Sequence, residues 1–354
     1  STLIGLYYLF RFLPITVMIF FFSLYFYVPK YFFVDELYLS HHLYNQNAES
    51  INFVSVLNSM FLIGIFLGIG KLNHQIKKFD LYGKFSDKTV FWLLFIFCSI
   101  IPFVGQTGTS IFESSYGSAE KSTLFEYFII FYLLLLLFAD RKSNIQDLSL
   151  WIIFLIYITR SLLFGGRVEV VIISLLTLYI RYDFMRNRSI QFFILAWFGI
   201  LLMQLIAIIR MSPWLAQEIF SGNFISAEGI IWTIQTQYGD VYQASLRIIG
   251  LLSEGFITTN ERITSLFSVI FGFFPSSWLP EVYNLANYLR NVASTGGGGL
   301  VSAYSYVWLG GFGPPIFGII IGMVIRFGLR NINFYLGLYC LLVLTFFPRW
   351  FAYY

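Results

Sequence analysis

The run INFVSVLNSMFLIGIFLGIG occupies residues 51–70 and contains no charged side chain. A helix needs about 20 mainly apolar residues to cross the roughly 30 Å of hydrocarbon in a bilayer. Polar and apolar residues do not alternate along this run, as they do in the strands of a membrane barrel. The run therefore predicts a transmembrane α-helix.

Similar apolar runs recur along the chain of 354 residues, which is 58% hydrophobic and 11% charged and has a mean hydropathy of +0.75. This composition excludes an ordinary soluble domain, in which about 25% of residues are charged. No polar linker or internal repeat divides the chain. We therefore predict an all-α polytopic bundle, a single transmembrane domain over residues 1–354 with about nine spans. The predicted spans are Leu3–Val28, Ile51–Gly70, Thr89–Gly105, Thr123–Ala139, Leu148–Phe164, Val168–Ile180, Ile190–Ile209, Leu300–Ile325 and Ile332–Phe347.

The basic residues are distributed unevenly between the two sets of predicted connections. One set contains Lys71, Lys77, Lys78, Lys84, Lys88, Arg141, Lys142, Arg181, Arg186, Arg188, Arg326 and Arg330. The short connections of the other set contain only Lys30, Lys121, Arg167 and Arg349. Because short loops rich in lysine and arginine face the cytoplasm, we expect a cytoplasmic amino terminus. The long connection from Arg210 to Gly299 then faces outward.

This outward connection, residues 210–299, is predicted to cap the bundle and not to form a separate globular domain. The run Ile263–Phe274 is too short to span a membrane and precedes two prolines, so it predicts a re-entrant or interfacial segment. A second segment has apolar residues at helical spacing, as in a helix lying flat on a membrane. The residues with this spacing are Ile230, Ile231, Ile234, Tyr238, Val241 and Tyr242.

Three arginines are predicted to lie at one depth near the outward face. Arg160 is near the end of the fifth span, Arg167 is at the start of the sixth, and Arg210 ends the seventh. A cation within a span costs ~2.5–3.5 kcal/mol on insertion scales, so it normally faces a cavity or a partner. The planar guanidinium grips phosphate at two points, whereas the lysine ammonium is a point charge. These three residues therefore predict a diphosphate clamp.

A fourth arginine, Arg290, is predicted to join the clamp because the glycine run 296–299 follows it. Glycines let backbone N–H groups approach an anion closely. The alternatives for the other three are structural: Arg167 and Arg210 would anchor helix ends by snorkelling, and Arg160 would pair with Glu169 or Glu126.

Two carboxylates of the outward loop, Asp240 and Glu281, are the candidates for a catalytic base. Tyr238 and Trp278 lie near them in sequence, a combination that suits sugar rings, and Tyr304 is a third candidate for sugar binding. The alternatives are ordinary surface carboxylates and an interfacial belt of aromatic residues. The outward connections contain no Asp-x-Asp pair and no histidine cluster with metal spacing. We therefore predict no metal and no cofactor.

Three stretches resemble bacterial Wzy-type polymerases of O-antigen or capsule repeat units. The stretch SLLFGGR at residues 161–167 is similar to the Gly-x-Arg turn that opens an inner helix in that family. IAIIR at residues 206–210 ends a helix in arginine immediately before the large loop. GGGGLVS at residues 296–302, which leads to GGFG at 310–313, is like the glycine-rich stretch that follows the loop. The chain departs from many relatives at Tyr304 and Trp308, where they have an acidic residue and an asparagine.

The resemblance implies a metal-independent glycosyltransferase in the bacterial inner membrane. It would move a growing glycan from undecaprenyl diphosphate to the terminal sugar of a new lipid-linked repeat unit. Implied partners are undecaprenyl-diphosphate-linked oligosaccharides, membrane lipids and a chain-length-regulating co-polymerase, and no nucleic acid. An O-antigen ligase and a flippase for lipid-linked sugars are the alternatives. Such ligases typically use a histidine of the large loop, and residues 210–299 contain none. Flippases commonly show two related halves, and no such symmetry is found in this sequence.

Overall fold

A computed structural model describes residues 13–22, 24–25, 48–70, 81–104, 106–107, 120–121, 123–163, 167–181, 194–199, 202, 241–271, 298–330 and 333–348. In chain order the elements are α1 (Leu13–Phe22), α2 (Ala48–Ile69), α3 (Lys88–Val104), β1 (Gln106–Thr107), β2 (Glu120–Lys121), α4 (Thr123–Phe138), α5 (Asn144–Leu163), α6 (Arg167–Arg181), α7 (241–253), α8 (Thr259–Phe271), α9 (Val301–Leu309), α10 (Gly313–Arg330) and α11 (Phe334–Thr345). Apart from the short antiparallel pair of β1 and β2, the described elements are helical, as the sequence predicts.

Three stretches of the described residues are long and apolar enough to cross a membrane. They are Asn52–Ile69 in α2, Asn144–Leu163 in α5, and Val301–Phe327. The helices α3 and α11 and the end of α4 are apolar but shorter. The count of about nine predicted spans therefore goes beyond the three that meet this criterion.

Helix α5 begins one turn earlier than the predicted span, which started at Leu148. Ser143 caps the helix, because its Oγ accepts the backbone N–H of Gln146 at 3.4 Å and its carbonyl accepts that of Asp147 at 3.1 Å. Serine at this position satisfies backbone donors that a helix leaves unpaired. The polar first turn was missed because hydropathy alone does not detect a cap.

The predicted span Leu300–Ile325 is interrupted. The 3-10 turn Gly310–Phe312 separates α9 from α10, and the backbone of Gly310 has φ 63° and ψ −149°. Glycine adopts a positive φ at little cost, whereas other residues rarely do. The N–H of Gly310 closes α9 by donating to the carbonyl of Tyr306. The predicted span is therefore confirmed over Val301–Phe327, but it is not a regular α-helix at this turn.

The chain divides into two compact units, which are described separately. Unit 1 comprises Ser1–Leu13, Lys77–Gly229 and Asn333–Thr345, and unit 2 comprises Pro14–Ile76, Ile230–Ile332 and Phe346–Tyr354. Accordingly, unit 1 contains α3 to α6 and α11, and unit 2 contains α2 and α7 to α10.

Glycines let α2 and α10 of unit 2 pack with their backbones in contact. A Cβ atom added to Gly64 or Gly68 would collide with carbonyl oxygens of α10, and one added to Gly318 or Gly322 would collide with those of α2. Both pairs have the four-residue spacing of membrane helix pairs in which small residues allow close approach. Gly64 meets Gly318 and Gly68 meets Gly322, so the two helices run in the same direction.

Aromatic rings fill the interior of unit 1 between α4 and α5. The rings of Phe128 and Tyr157 are stacked with centroids 4.0 Å apart, and Phe125 stacks on Tyr157 at 4.9 Å. The hydroxyl of Tyr157 reaches the carbonyl of Phe125 at 3.5 Å. In a bilayer such close packing is the main attraction between helices, because lipid tails are themselves apolar. This packing fixes α5, which carries the candidate residues described next.

Candidate functional site

Three of the nine predicted site residues fall in the described part of the chain. Arg160 and Tyr304 are described with their side chains, and Arg167 is placed as the first residue of α6. The others lie outside the described residues: Asp240, Glu281, Arg210, Arg290, Tyr238 and Trp278.

The guanidinium of Arg160 is held against the end of α3. Its Nε donates to the carbonyl oxygen of Pro102 at 3.2 Å, and its Cζ lies 5.6 Å from the ring centroid of Phe103. Pro102 is in the last turn of α3, where carbonyls have no donor within the helix and a nearby cation is favourable. The contact therefore fixes the position of Arg160, in the last turn of α5.

Helices α5 and α6 form an antiparallel pair. Asp147, in the first turn of α5, forms an ion pair with Arg181, the last residue of α6. At the other end only residues 164–166 separate Leu163 from Arg167. Four steps of an extended chain reach at most about 14 Å, so the end of α5 and the start of α6 lie close together. Arg160 and Arg167 are thus at the same end of the pair.

Two buried polar side chains also lie at this end, Ser161 in α5 and Glu169 in α6. Ser161 has no exposed surface and its Oγ has no hydrogen-bond partner, while Glu169 is 7% exposed. They continue the buried faces of their helices, because Ser161 follows Tyr157 by four residues and Glu169 precedes Ile173 by four. The sequence indicated Glu169 only as a partner for Arg160. Its spacing to Ile173 was the signal for a place on the buried face.

The opposite end of the α5–α6 pair is closed by a compact polar cluster. Arg181 donates to the carboxylate of Asp147 and lies between two rings, with its Cζ 4.9 Å from the centroid of Trp151 and 5.2 Å from that of Tyr82. The hydroxyl of Tyr82 donates to the same Asp147 oxygen at 2.9 Å. Burial, and after it the hydrogen bond to Asp147, raise the pKa of Tyr82 to about 12. Arg141 completes the cluster by donating from Nε to the carbonyl of Tyr82 at 2.6 Å.

In unit 2, Tyr304 is fully buried. Gly299 packs so closely on it that an added Cβ would lie 2.9 Å from Cε2 of the ring. The ring of Trp308 also lies near it, with centroids 6.0 Å apart. This arrangement packs Tyr304 inside unit 2. Its assignment to sugar binding stays a prediction.

The two described helices of the predicted outward loop, α7 and α8, form hydrogen bonds with α9 and with Leu300, the residue before it. Ser245 of α7 accepts the N–H of Leu300 at 2.8 Å. In α8, Ser265 accepts the indole N–H of Trp308 at 2.9 Å, and Arg262 donates from Nε to the carbonyl of Val307 at 2.5 Å. This carbonyl is in the last turn of α9, so Arg262 repeats the contact that Arg160 makes with α3.

A metal site is not found among the described residues, which contain no group of three or more histidine, cysteine, aspartate or glutamate side chains suited to hold an ion. No protein-family model, curated protein or solved structure matches this chain.

Proposed function

We propose that this chain polymerises lipid-linked oligosaccharide repeat units on the periplasmic side of the bacterial inner membrane. It would have about nine spans and a cytoplasmic amino terminus, and residues 210–299 would form a periplasmic loop of amphipathic and re-entrant helices that caps the bundle. The three stretches able to cross a membrane support this arrangement, and so do the contacts of α7 and α8 with α9.

The reaction transfers the growing glycan from undecaprenyl diphosphate to a new lipid-linked repeat unit. A hydroxyl of the terminal sugar of that unit attacks the anomeric carbon of the glycan, and the lipid diphosphate departs with the bonding electrons. Positive groups fixed where this charge develops stabilise the transition state, an effect that is usually the largest in such sites. Arginines at the end of the α5–α6 pair would supply it, and a separate co-polymerase would regulate chain length.

The observation that carries the proposal is the position of Arg160. Its Nε donates to the Pro102 carbonyl, and α6 begins with a second arginine, Arg167, separated from the end of α5 by only residues 164–166. The carbonyl holds the guanidinium in place at the end of the α5–α6 pair. A pair of arginines so placed suits a diphosphate better than lysines would, because guanidinium groups bind phosphate oxygens in pairs.

The test is the glycan ladder of a strain that lacks this chain, complemented with wild-type protein or with Arg160→Ala. Wild type restores the ladder, and we expect Arg160→Ala to leave single repeat units at normal protein level. Arg141→Ala is the matched control, because Arg141 also donates from Nε to a backbone carbonyl but lies at the other end of the pair. It should restore full-length chains.

Two outcomes would contradict the proposal. Full-length chains with Arg160→Ala would remove Arg160 from the site. A deletion strain that loses every repeat, and not all but one, would indicate a ligase or a flippase instead. A transport assay with lipid-linked repeat units in proteoliposomes then separates these two.

A further inference from the structure

We infer that Glu169 is the catalytic base of the proposed transfer and takes the proton from the acceptor hydroxyl. The inference rests on the proposed function, because it assigns a role within the same site. Asp240 and Glu281, the bases predicted from sequence, lie outside the described residues. Glu169 is the acidic residue that the described structure buries at the end of α5 and α6 that carries Arg160 and Arg167.

The register of the antiparallel pair puts Glu169 at the level of Ser161. Ser161 is two residues before Leu163, where α5 ends, and Glu169 is two residues after Arg167, where α6 begins. Residues at equal distances from a short connection lie beside each other in an antiparallel helix pair. Because both residues are buried, their side chains face the interior of the unit at this level.

Ser161 provides an independent sign that this level takes a ligand. Its Oγ is buried and has no hydrogen-bond partner in the structure. A buried hydroxyl left unpaired is destabilising, so native structures normally pair such groups, and the exceptions are often found at functional sites. A hydroxyl of the acceptor sugar can pair with Ser161 and present its proton to Glu169.

The proton balance of the step is then complete. The acceptor oxygen forms its bond to the anomeric carbon, and the bond from that carbon to the diphosphate oxygen breaks. The diphosphate leaves with the electron pair and is held by the arginines, and the hydroxyl proton moves to the carboxylate of Glu169. A positioned base of this kind typically contributes about 10²–10⁴-fold to the rate.

The experiment measures kcat and KM of the purified chain with a lipid-linked repeat unit as the only substrate. Glu169→Gln should lower kcat by about 100-fold or more and leave KM within about threefold, because the amide cannot accept the proton. Glu169→Asp should keep part of the activity. For Glu169→Ala, formate added at high concentration should restore turnover by acting as the missing carboxylate, whereas chloride should not.

Glu261→Gln is the matched control. Glu261 is also the third residue of its helix, and its carboxylate accepts the backbone N–H of Thr258 at 2.7 Å, a capping contact that glutamine can also make. We expect normal turnover from this variant. Thermal unfolding of each variant checks that it is folded.

Two results overturn the inference while leaving the proposed function intact: turnover of Glu169→Gln within about fivefold of wild type, or no effect of formate on a folded Glu169→Ala variant. If the wild-type chain forms no polymer from its substrate, the proposed function fails instead.

Discussion

The two ends of the α5–α6 pair use arginine in different ways. Asp147 and Arg160 are thirteen positions apart in α5, which corresponds to about 20 Å along a helix. At the first end Arg181 meets a carboxylate and lies between two aromatic rings. At the second end Arg160 meets a backbone carbonyl. We expect the ion pair at the first end to serve stability, whereas the proposed function assigns the arginines of the second end to the diphosphate.

The largest expected effect is the loss of polymer when an arginine of the second end is removed. Arg167→Ala should abolish chains longer than one repeat, and Arg210→Ala should do the same if Arg210 joins the clamp. Loss of one group that stabilises developing charge typically costs about 10²–10³ in rate. Gel analysis of the glycan measures it. Full-length chains at normal protein level would assign these residues to helix anchoring.

A smaller effect is expected from Arg160→Lys, which keeps the charge but removes the Nε donor. Lysine cannot bind the Pro102 carbonyl and a diphosphate oxygen in the same fixed geometry. We expect turnover to fall by about 10-fold or more, as measured by polymer formed per minute by the purified chain. Normal turnover would mean that positive charge alone suffices at this end.

At the first end, Asp147→Asn should lower stability and leave activity per folded molecule unchanged. Breaking a fully buried ion pair costs about 3–5 kcal/mol. Asp147 is 40% exposed, so we expect about 1–2 kcal/mol. Thermal unfolding in detergent measures the change. A loss of turnover in molecules that remain folded would show that the two ends do not have separate roles.

The smallest effect concerns alkaline pH. The pKa of Tyr82 is raised from its ordinary value of 10.0 to about 12. A raised pKa favours the protonated phenol in the folded state, so its contribution to stability is full below pH 10 and is lost as the pH rises toward 12. Tyr82→Phe should therefore flatten the decline of the unfolding temperature over this interval. An unchanged decline would assign the pH dependence to other groups.

The sequence was sufficient for the elements that depend on composition alone. Helix α2 covers the uncharged run as far as Ile69 and begins three residues before it, at Ala48, since a run of this length has few other ways to satisfy its backbone in lipid. The break at Gly310 was missed because an average over hydropathy does not register the backbone angle of one glycine. The burial of Tyr304 was missed because it depends on Gly299, whose approach to the ring is a tertiary contact.

The candidate site was predicted in part. Arg160 is where the pattern of an isolated cation near a helix end indicated, but its partner, the Pro102 carbonyl, belongs to another helix and has no signature in the sequence. The proposed role of Glu169 depends on the register of α5 against α6, which the contact between Asp147 and Arg181 fixes. The predicted site residues from Arg210 to Arg290, both included, lie outside the described residues and stay predictions.

The most direct test of the central claim is the affinity of the purified chain for undecaprenyl diphosphate, compared with undecaprenyl monophosphate, in nanodiscs. We predict that wild type prefers the diphosphate, that Arg160→Ala weakens diphosphate binding by about 10-fold or more, and that Arg141→Ala binds like wild type. Equal affinity of wild type and Arg160→Ala for the diphosphate would contradict the account.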